Sequence, residues 1–308
     1  MVNPPPVDEP PPGTSQLNGT DMIDTHLHLW RLSTGWYGWN TADLGPVHAD
    51  SELSDVCGAM AQVGVTTAIL VQAADDLAET DWLLDLAARE PSIGGVVGYL
   101  PLDDSAALED LLVLHAGSGL VGVRQLWHDH DDLLELAAET TISCLRRLGE
   151  GGLPVDVPNA FPTVWPALVT AVDAARDTTF VLDHCGKPPF GDPAAWARWE
   201  RDFAELAGRP NVVVKLSGLF AGSGRAPSQE TELARVVELT RAAAGADRTM
   251  IGSDWPMARG TTDYAGSMTR LDGLLSGWSA AEQEQAKIGT ALLTYRPKTG
   301  SAVERGTE

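Results

Sequence analysis

Cysteine is scarce in this 308-residue sequence: Cys57, Cys144 and Cys185 lie far apart, with no CxxC pair. That argues against a disulfide framework or a thiolate zinc site and suits free thiols in a reducing cytoplasm, the expected location. Long apolar runs are missing too. None approaches the ~20 residues that span a bilayer, so no membrane partner is expected. Basic residues are few, 21 against 43 acidic ones, which leaves a net charge of -22. Such a surface repels phosphate backbones, and no Lys/Arg cluster offsets it, so no nucleic-acid partner is expected. Neither nucleotide fingerprint occurs: no GxGxxG follows the first strand, and no P-loop is found anywhere. The N-terminus lacks the basic and apolar regions of a secretory signal. Its six prolines in twelve residues favour a disordered, extended tail over residues 1–20.

What the sequence does hold is a regular alternation. Short runs rich in Val, Ile and Leu occur at 21–28, 65–73, 93–102, 120–126, 153–158, 179–186, 211–219 and 248–256. Near-continuous apolar runs of this length fit strands buried on both faces, as in parallel sheets. Amphipathic stretches lie between them. One starts at Ser51, a plausible N-cap, and ends at Gly64; another runs from 131 to the glycine pair at 151–152. A last pair covers 262–276 and 280–294. Eight β/α units predict an α/β fold, a single-domain (β/α)8 TIM barrel over 21–296, with a C-terminal tail at 297–308.

Active sites of such barrels sit at the carboxyl ends of the strands. Those ends carry His26 and His28, Gln72, Arg124, Asp156, Asp183 and His184, Lys215 and Ser217, and Ser253 and Asp254. Strand side chains alternate, so His26 and His28 share a face and can place two nitrogens on one ion. Spacing alone is weak support, because "HDHD" at 128–131 repeats the pattern; position at the end of the first strand is what singles out His26 and His28. Asp254, in "GSDWP", can bind a cation or act as general base, or it is a loop carboxylate. His184 can ligate metal or polarise a carbonyl, or it is a hydrogen-bonded core histidine. Two readings also stand for Arg124 and Lys215. Either they hold a substrate carboxylate and stabilise oxyanion charge, or they form buried ion pairs with Asp156 or Asp183. Trp30, Trp36 and Trp39 can wall the site or pack a loop.

Four motifs in this order, "DTHLHLW", "LDHCGKP", "KLSGL" and "GSDWP", resemble the amidohydrolase superfamily. The likeness is to its branch related to sugar-lactone hydrolases and extends over nearly all of 21–295. The resemblance implies a hydrolase that opens a lactone, with a small molecule as its partner and homo-oligomers possible. It assigns His26, His28, His184 and Asp254 to the metal site, with Asp254 and His184 catalytic. Arg124, Lys215, Gln72 and Trp30 are then expected beside substrate. Many superfamily members bridge two metals through a Lys or Glu on the fourth strand and carry a His on the fifth. Here those strands present Arg124 and Asp156, so at most one divalent ion is expected, zinc or manganese, and metal-independent relatives also exist. Gln125 and Thr290 stand where relatives often have His and Asn. The alternatives are a decarboxylase on the same barrel, or a non-catalytic barrel that binds a ligand.

Overall fold

The computed structural model describes residues 21–220 and 230–298. All eight apolar runs form strands: β1 (Met22–Leu27), β2 (Val65–Val71), β3 (Ile93–Gly98), β4 (Leu120–Arg124), β5 (Val155–Val157), β6 (Phe180–Leu182), β7 (Val212–Leu216) and β8 (Thr249–Ile251). Each pairs in parallel with the next, in the order β1 to β8. The ring closes where Leu27 bridges Trp255 and the His28 N–H donates to the Trp255 carbonyl at 2.8 Å. This is the expected TIM barrel. The expected tail over 1–20 lies outside the described residues, as does 299–308.

Helices α1 (Cys57–Gln62), α2 (Leu77–Arg89), α3 (Ser105–Leu114), α4 (Glu139–Glu150), α5 (Trp165–Ala174), α6 (Pro193–Ala207), α7 (Glu230–Ala243) and α8 (Tyr264–Leu274) follow the strands in turn. The terminal stretch comprises α9 (Ala280–Glu284), a π turn at Gln285–Gly289 and α10 (Thr290–Tyr295). Two expected boundaries differ. Ser51 is no N-cap, because its backbone pairs with Trp30; a capping box between Glu52 and Asp55 starts a 3-10 turn ahead of α1. The helix expected from 131 begins only at Glu139, because His130 bridges Asp75 and Glu135 at 2.9 and 2.8 Å and ties the preceding segment to the loop after β2.

Alternation along each strand separates two apolar layers. Outward residues such as Leu70, Val96, Val123, Leu182, Val214 and Ile251 join one large cluster with helix residues such as Leu83, Leu145 and Phe203. Inward residues Ile23, Ile69, Val71, Val97, Val181, Val213 and Met250 form a second cluster with Ile288, Ala291 and Tyr295 from the terminal helical stretch. The inward set turns polar toward the strand ends. Arg124 stands in register beside Asp156, and two residues beyond Val181 and Val213 come Asp183 and Lys215. The period that builds the core thus delivers four charged groups to one layer inside the barrel.

Candidate active site

Above that layer, at the carboxyl ends of the strands, lies a cavity of about 330 Å³. His28, Arg124, His184 and Asp254 form part of its lining, with Trp30 and Trp39 on one wall and His128 and Asn159 on another. Among the described residues, six that are not glycine have positive φ. Four of them line this cavity: Asn159, His184, Lys187 and Asp254. Uncommon backbone conformations persist where surrounding structure over-determines them, and they cluster at functional sites.

The two histidines of β1 converge. Their Nε2 atoms are 3.1 Å apart, and Asp254 Oδ1 lies 3.4 Å from that of His28 and 3.7 Å from that of His26. The His28 Nδ1 is 2.7 Å from the Val71 carbonyl, which can only accept. The proton of a neutral His28 therefore sits on Nδ1, and a bare Nε2 lone pair faces His26 and Asp254. His26 has both a donor and an acceptor beside Nδ1, Lys215 Nζ at 3.2 Å and Asp183 Oδ1 at 3.3 Å. Ligation through its Nε2 selects the arrangement in which Nδ1–H faces Asp183. Burial holds His26 well below the ordinary histidine range, so it stays available as a neutral ligand. Two nitrogens at this spacing and one carboxylate oxygen suit a single divalent ion, whose bonds to such ligands are about 2.0–2.2 Å for zinc. The donor set fits the group that the sequence implies.

His184 stands to one side. Its Nδ1 is 2.9 Å from Ser217 Oγ, and its Nε2 is 3.8 Å from Asp254 Oδ1. Burial pushes this imidazole down as well. The donor atoms of His26, His28 and Asp254 group together without it; His184 groups instead with His26 and Asp183. Burial alone would raise the Asp254 carboxyl, but His184, His28 and His26 around it hold it well below the usual range, so it is ionised at neutral pH. Two supports fix its place. Buried Asp24 accepts from the backbone N–H groups of His26 (3.0 Å) and Ser253 (2.8 Å) and from the Tyr264 hydroxyl (2.9 Å), which ties β1 to the loop after β8. Gly218 has φ +62, and a Cβ there would fall 2.6 Å from His184 Nδ1 and 2.8 Å from Asp254 Oδ2.

Of the residues expected beside substrate, Arg124 and Trp30 line the cavity, whereas Lys215 and Gln72 do not. Arg124 donates to Asp183 at 3.1 Å and to the Gln72 carbonyl at 2.6 Å, its Nη1 faces His26 Nε2 at 3.3 Å, and its Nε makes no hydrogen bond among the described residues. Gln72 is fully buried and donates to the Arg124 carbonyl at 3.0 Å, so it braces the arginine from behind. Lys215, also fully buried, lies below His26 with its Nζ 2.5 Å from Asp156 and 3.2 Å from Asp183. For Lys215 the structure takes the ion-pair alternative. Its position on an inward strand step, next to two carboxylates, puts it beneath the cavity floor.

Other groups had little or no signal in the sequence. Tyr295, on α10, reaches up the barrel and donates to Asp156 at 2.7–2.8 Å. A tyrosine in a terminal helix has nothing local to mark it. His128 belongs to the "HDHD" stretch, which nothing in the sequence singled out; it meets the Asn159 amide at 3.0 Å on the cavity wall, and burial pushes it down to about 4.

Comparison with known proteins agrees with this geometry. The amidohydrolase family model matches residues 23–296. An L-fucono-1,5-lactonase of Burkholderia multivorans is 31% identical over 292 residues, covering 90% of this chain and 96% of the relative. The L-fucono-1,5-lactonase of Burkholderia ambifaria is 30% identical over 250 residues, covering 78% and 82%. A crystal structure of an amidohydrolase from Burkholderia multivorans with bound Zn superposes with TM-score 0.82 at 28% identity, covering 90% of this chain and 99% of that one. With a family model that matches the whole barrel, and the histidines of β1 facing the carboxylate after β8 as the motifs require, the chain belongs to the amidohydrolase family.

Proposed function

We propose that this amidohydrolase opens a lactone ring by attack of activated water, with Asp254 as general base and one divalent ion held by His26, His28 and Asp254. The observation that carries the reading is the convergence of both Nε2 atoms and Asp254 Oδ1 within 3.1–3.7 Å, with His28 and Asp254 lining the cavity and His26 buried behind them. Zinc or manganese suits this mixed nitrogen and oxygen set. When bound, such an ion supplies Lewis-acid polarisation of the carbonyl and a lowered pKa for water.

The chain's own residues supply the rest. Asp254 is ionised and dry, 5% exposed, and its Oδ2 lies beside Gly218 on the cavity wall. Through that oxygen it accepts the proton of the attacking water and, as the ring C–O bond breaks, returns it to the leaving ring oxygen. Neutral His184 presents Nε2 on the same side and donates to the carbonyl oxygen as charge develops there, with Ser217 holding its Nδ1. Arg124, braced by Gln72 and Asp183, offers positive charge to the carboxylate that ring opening releases. Trp30 and Trp39 give an apolar wall for one face of a ring, while His128 and Asn159 give a polar wall for hydroxyl groups. Walls of two kinds suit a sugar-derived lactone, the class to which the L-fucono-1,5-lactonase relatives point.

The test is a pH-indicator screen of sugar and unsubstituted lactones, run with and without chelator. Release of acid from a sugar lactone, lost on chelation and restored by zinc or manganese, is the expected result. Failure to open any lactone, or carbon dioxide release from aromatic acids in the same preparation, overturns the reading.

A further inference from the structure

Two ligand clusters share His26. One comprises His26, His28 and Asp254; the other comprises His26, Asp183 and His184. By donor count alone both could take an ion. The charges around them differ. The lower layer holds two carboxylates, Asp156 and Asp183, against two cations, Arg124 and Lys215, all of them at most 4% exposed. Asp183 sits among cations: Oδ2 accepts from Arg124 at 3.1 Å, and Oδ1, which makes no hydrogen bond among the described residues, lies 3.2 Å from Lys215 Nζ and 3.3 Å from His26 Nδ1. Buried charge is tolerated when it is paired, and here each carboxylate already has a cation beside it. The upper cluster holds one carboxylate, Asp254, with the Nε2 atoms of His26 and His28, and Arg124 Nη1 lies 3.3 Å from His26 Nε2.

Lys215 is itself held in place. Its Nζ donates to Asp156 at 2.5 Å, Asp156 accepts from the Tyr295 hydroxyl through both oxygens, and the ammonium lies 5.2 Å above the Tyr295 ring. The terminal helix therefore pins a fixed cation against the inner side of His26. Building on the metal site proposed above, we propose that Lys215 is a positioning residue, a built-in cation that fills the second ligand cluster. It thereby restricts the centre to one divalent ion, on the Nε2 side of His26. The absence of a bridging lysine or glutamate on β4 then has a counterpart, since the place of a second ion is taken by an ammonium from β7.

The test is metal stoichiometry, measured on the full chain by equilibrium dialysis against Zn2+ and elemental analysis. The wild type is expected to hold one ion per chain, and Lys215→Ala, which removes the ammonium and leaves space, two. Lys215→Ala/Asp156→Asn removes one charge of each sign; it guards against misfolding and is also expected to hold two. A folded variant of either kind that still binds a single ion overturns the role of Lys215 but not the metal site. A wild type that binds none overturns both. Crystals of the wild type soaked in excess Zn2+ test the idea without any variant: anomalous density at His28 and Asp254 alone supports it, and a second peak at Asp183 and His184 sinks it.

Discussion

His28 Nδ1 lies 2.7 Å from the backbone carbonyl of Val71, so the ring turns a bare Nε2 toward Asp254. The contact is made by main chain, which fixes the imidazole by strand geometry and leaves it independent of any neighbouring side chain. Partners of this kind set both tautomer and ring orientation in metal-ligating histidines. His28→Asn shortens the side chain and removes a ligand. Its retained zinc after dialysis is expected to fall at least ~10-fold, with lactone hydrolysis lost in step. Added zinc should raise the melting temperature of the wild type more than that of the variant, because only a well-formed site is stabilised by its ligand. Equal zinc retention in the two proteins would remove His28 from the metal site.

Asp254 sits at φ +55, a conformation that asparagine also tolerates. Asp254→Asn therefore changes charge and basicity with little change of shape or backbone. Loss of a general base lowers turnover by about 10²–10⁴-fold, and a drop of that order in kcat is expected with the far-UV circular dichroism spectrum unchanged. Turnover near the wild-type rate would exclude Asp254 as the base.

Gly218 separates His184 from Asp254 at the cavity wall. A methyl group there meets His184 Nδ1 at 2.6 Å and Asp254 Oδ2 at 2.8 Å, and φ +62 penalises any L side chain. The backbone term alone is about 1–2 kcal/mol, which a domain of this size can absorb. The clash acts on the catalytic pair. Gly218→Ala is expected to fold, with a melting temperature a few degrees lower, and to lose more than ~10-fold in kcat/KM because the reacting groups must stay within about 0.5 Å of their working geometry. A variant as active as the wild type would show that His184 and Asp254 have room to move.

How much of this was readable beforehand depends on the range of the signal. The strands were legible because a buried parallel strand writes its own apolar run, and His26, His28, His184 and Asp254 were legible because each closes one. Arg124 and Lys215 could be placed at strand ends, but two readings survived for each. Which carboxylate pairs with which cation is decided across the barrel: Arg124 stands beside Asp156 in register, yet it pairs with Asp183, and Asp156 pairs with Lys215. No local pattern carries that information. The start of the helix expected from 131 was misplaced for a similar reason: the His130 bridge to Asp75 spans 55 residues and overrides local helix propensity up to Glu139. Tyr295 could not be read at all, because its partner Asp156 lies 139 residues away, across the barrel.

Glu79, on α2, binds the loop after β2. It is fully buried and accepts hydrogen bonds from the Ala73 N–H at 3.0 Å and the Ala74 N–H at 2.8 Å. These bonds hold the loop after β2, where the Ala73 carbonyl accepts from Trp39 Nε1 at 2.7 Å on the cavity wall. Burial pushes the Glu79 carboxyl from 4.5 up to about 8, and the two N–H groups offset this only in part. The folded state therefore keeps a proton that the unfolded chain releases near pH 4.5. By linkage, this contribution to stability is fully present below pH 4.5, declines as pH rises, and is gone once pH passes about 8. The slope is at most ~1.4 kcal/mol per pH unit for one group. Glu79→Gln keeps a neutral acceptor for the two N–H groups and cannot ionise. Its melting temperature is expected to lie near the wild-type value at pH 5 and above it at pH 8.5, measured by calorimetry across that range. If the two curves stay parallel throughout, Glu79 does not carry the proton, and the loop that positions Trp39 is held by a carboxylate ionised at every pH tested.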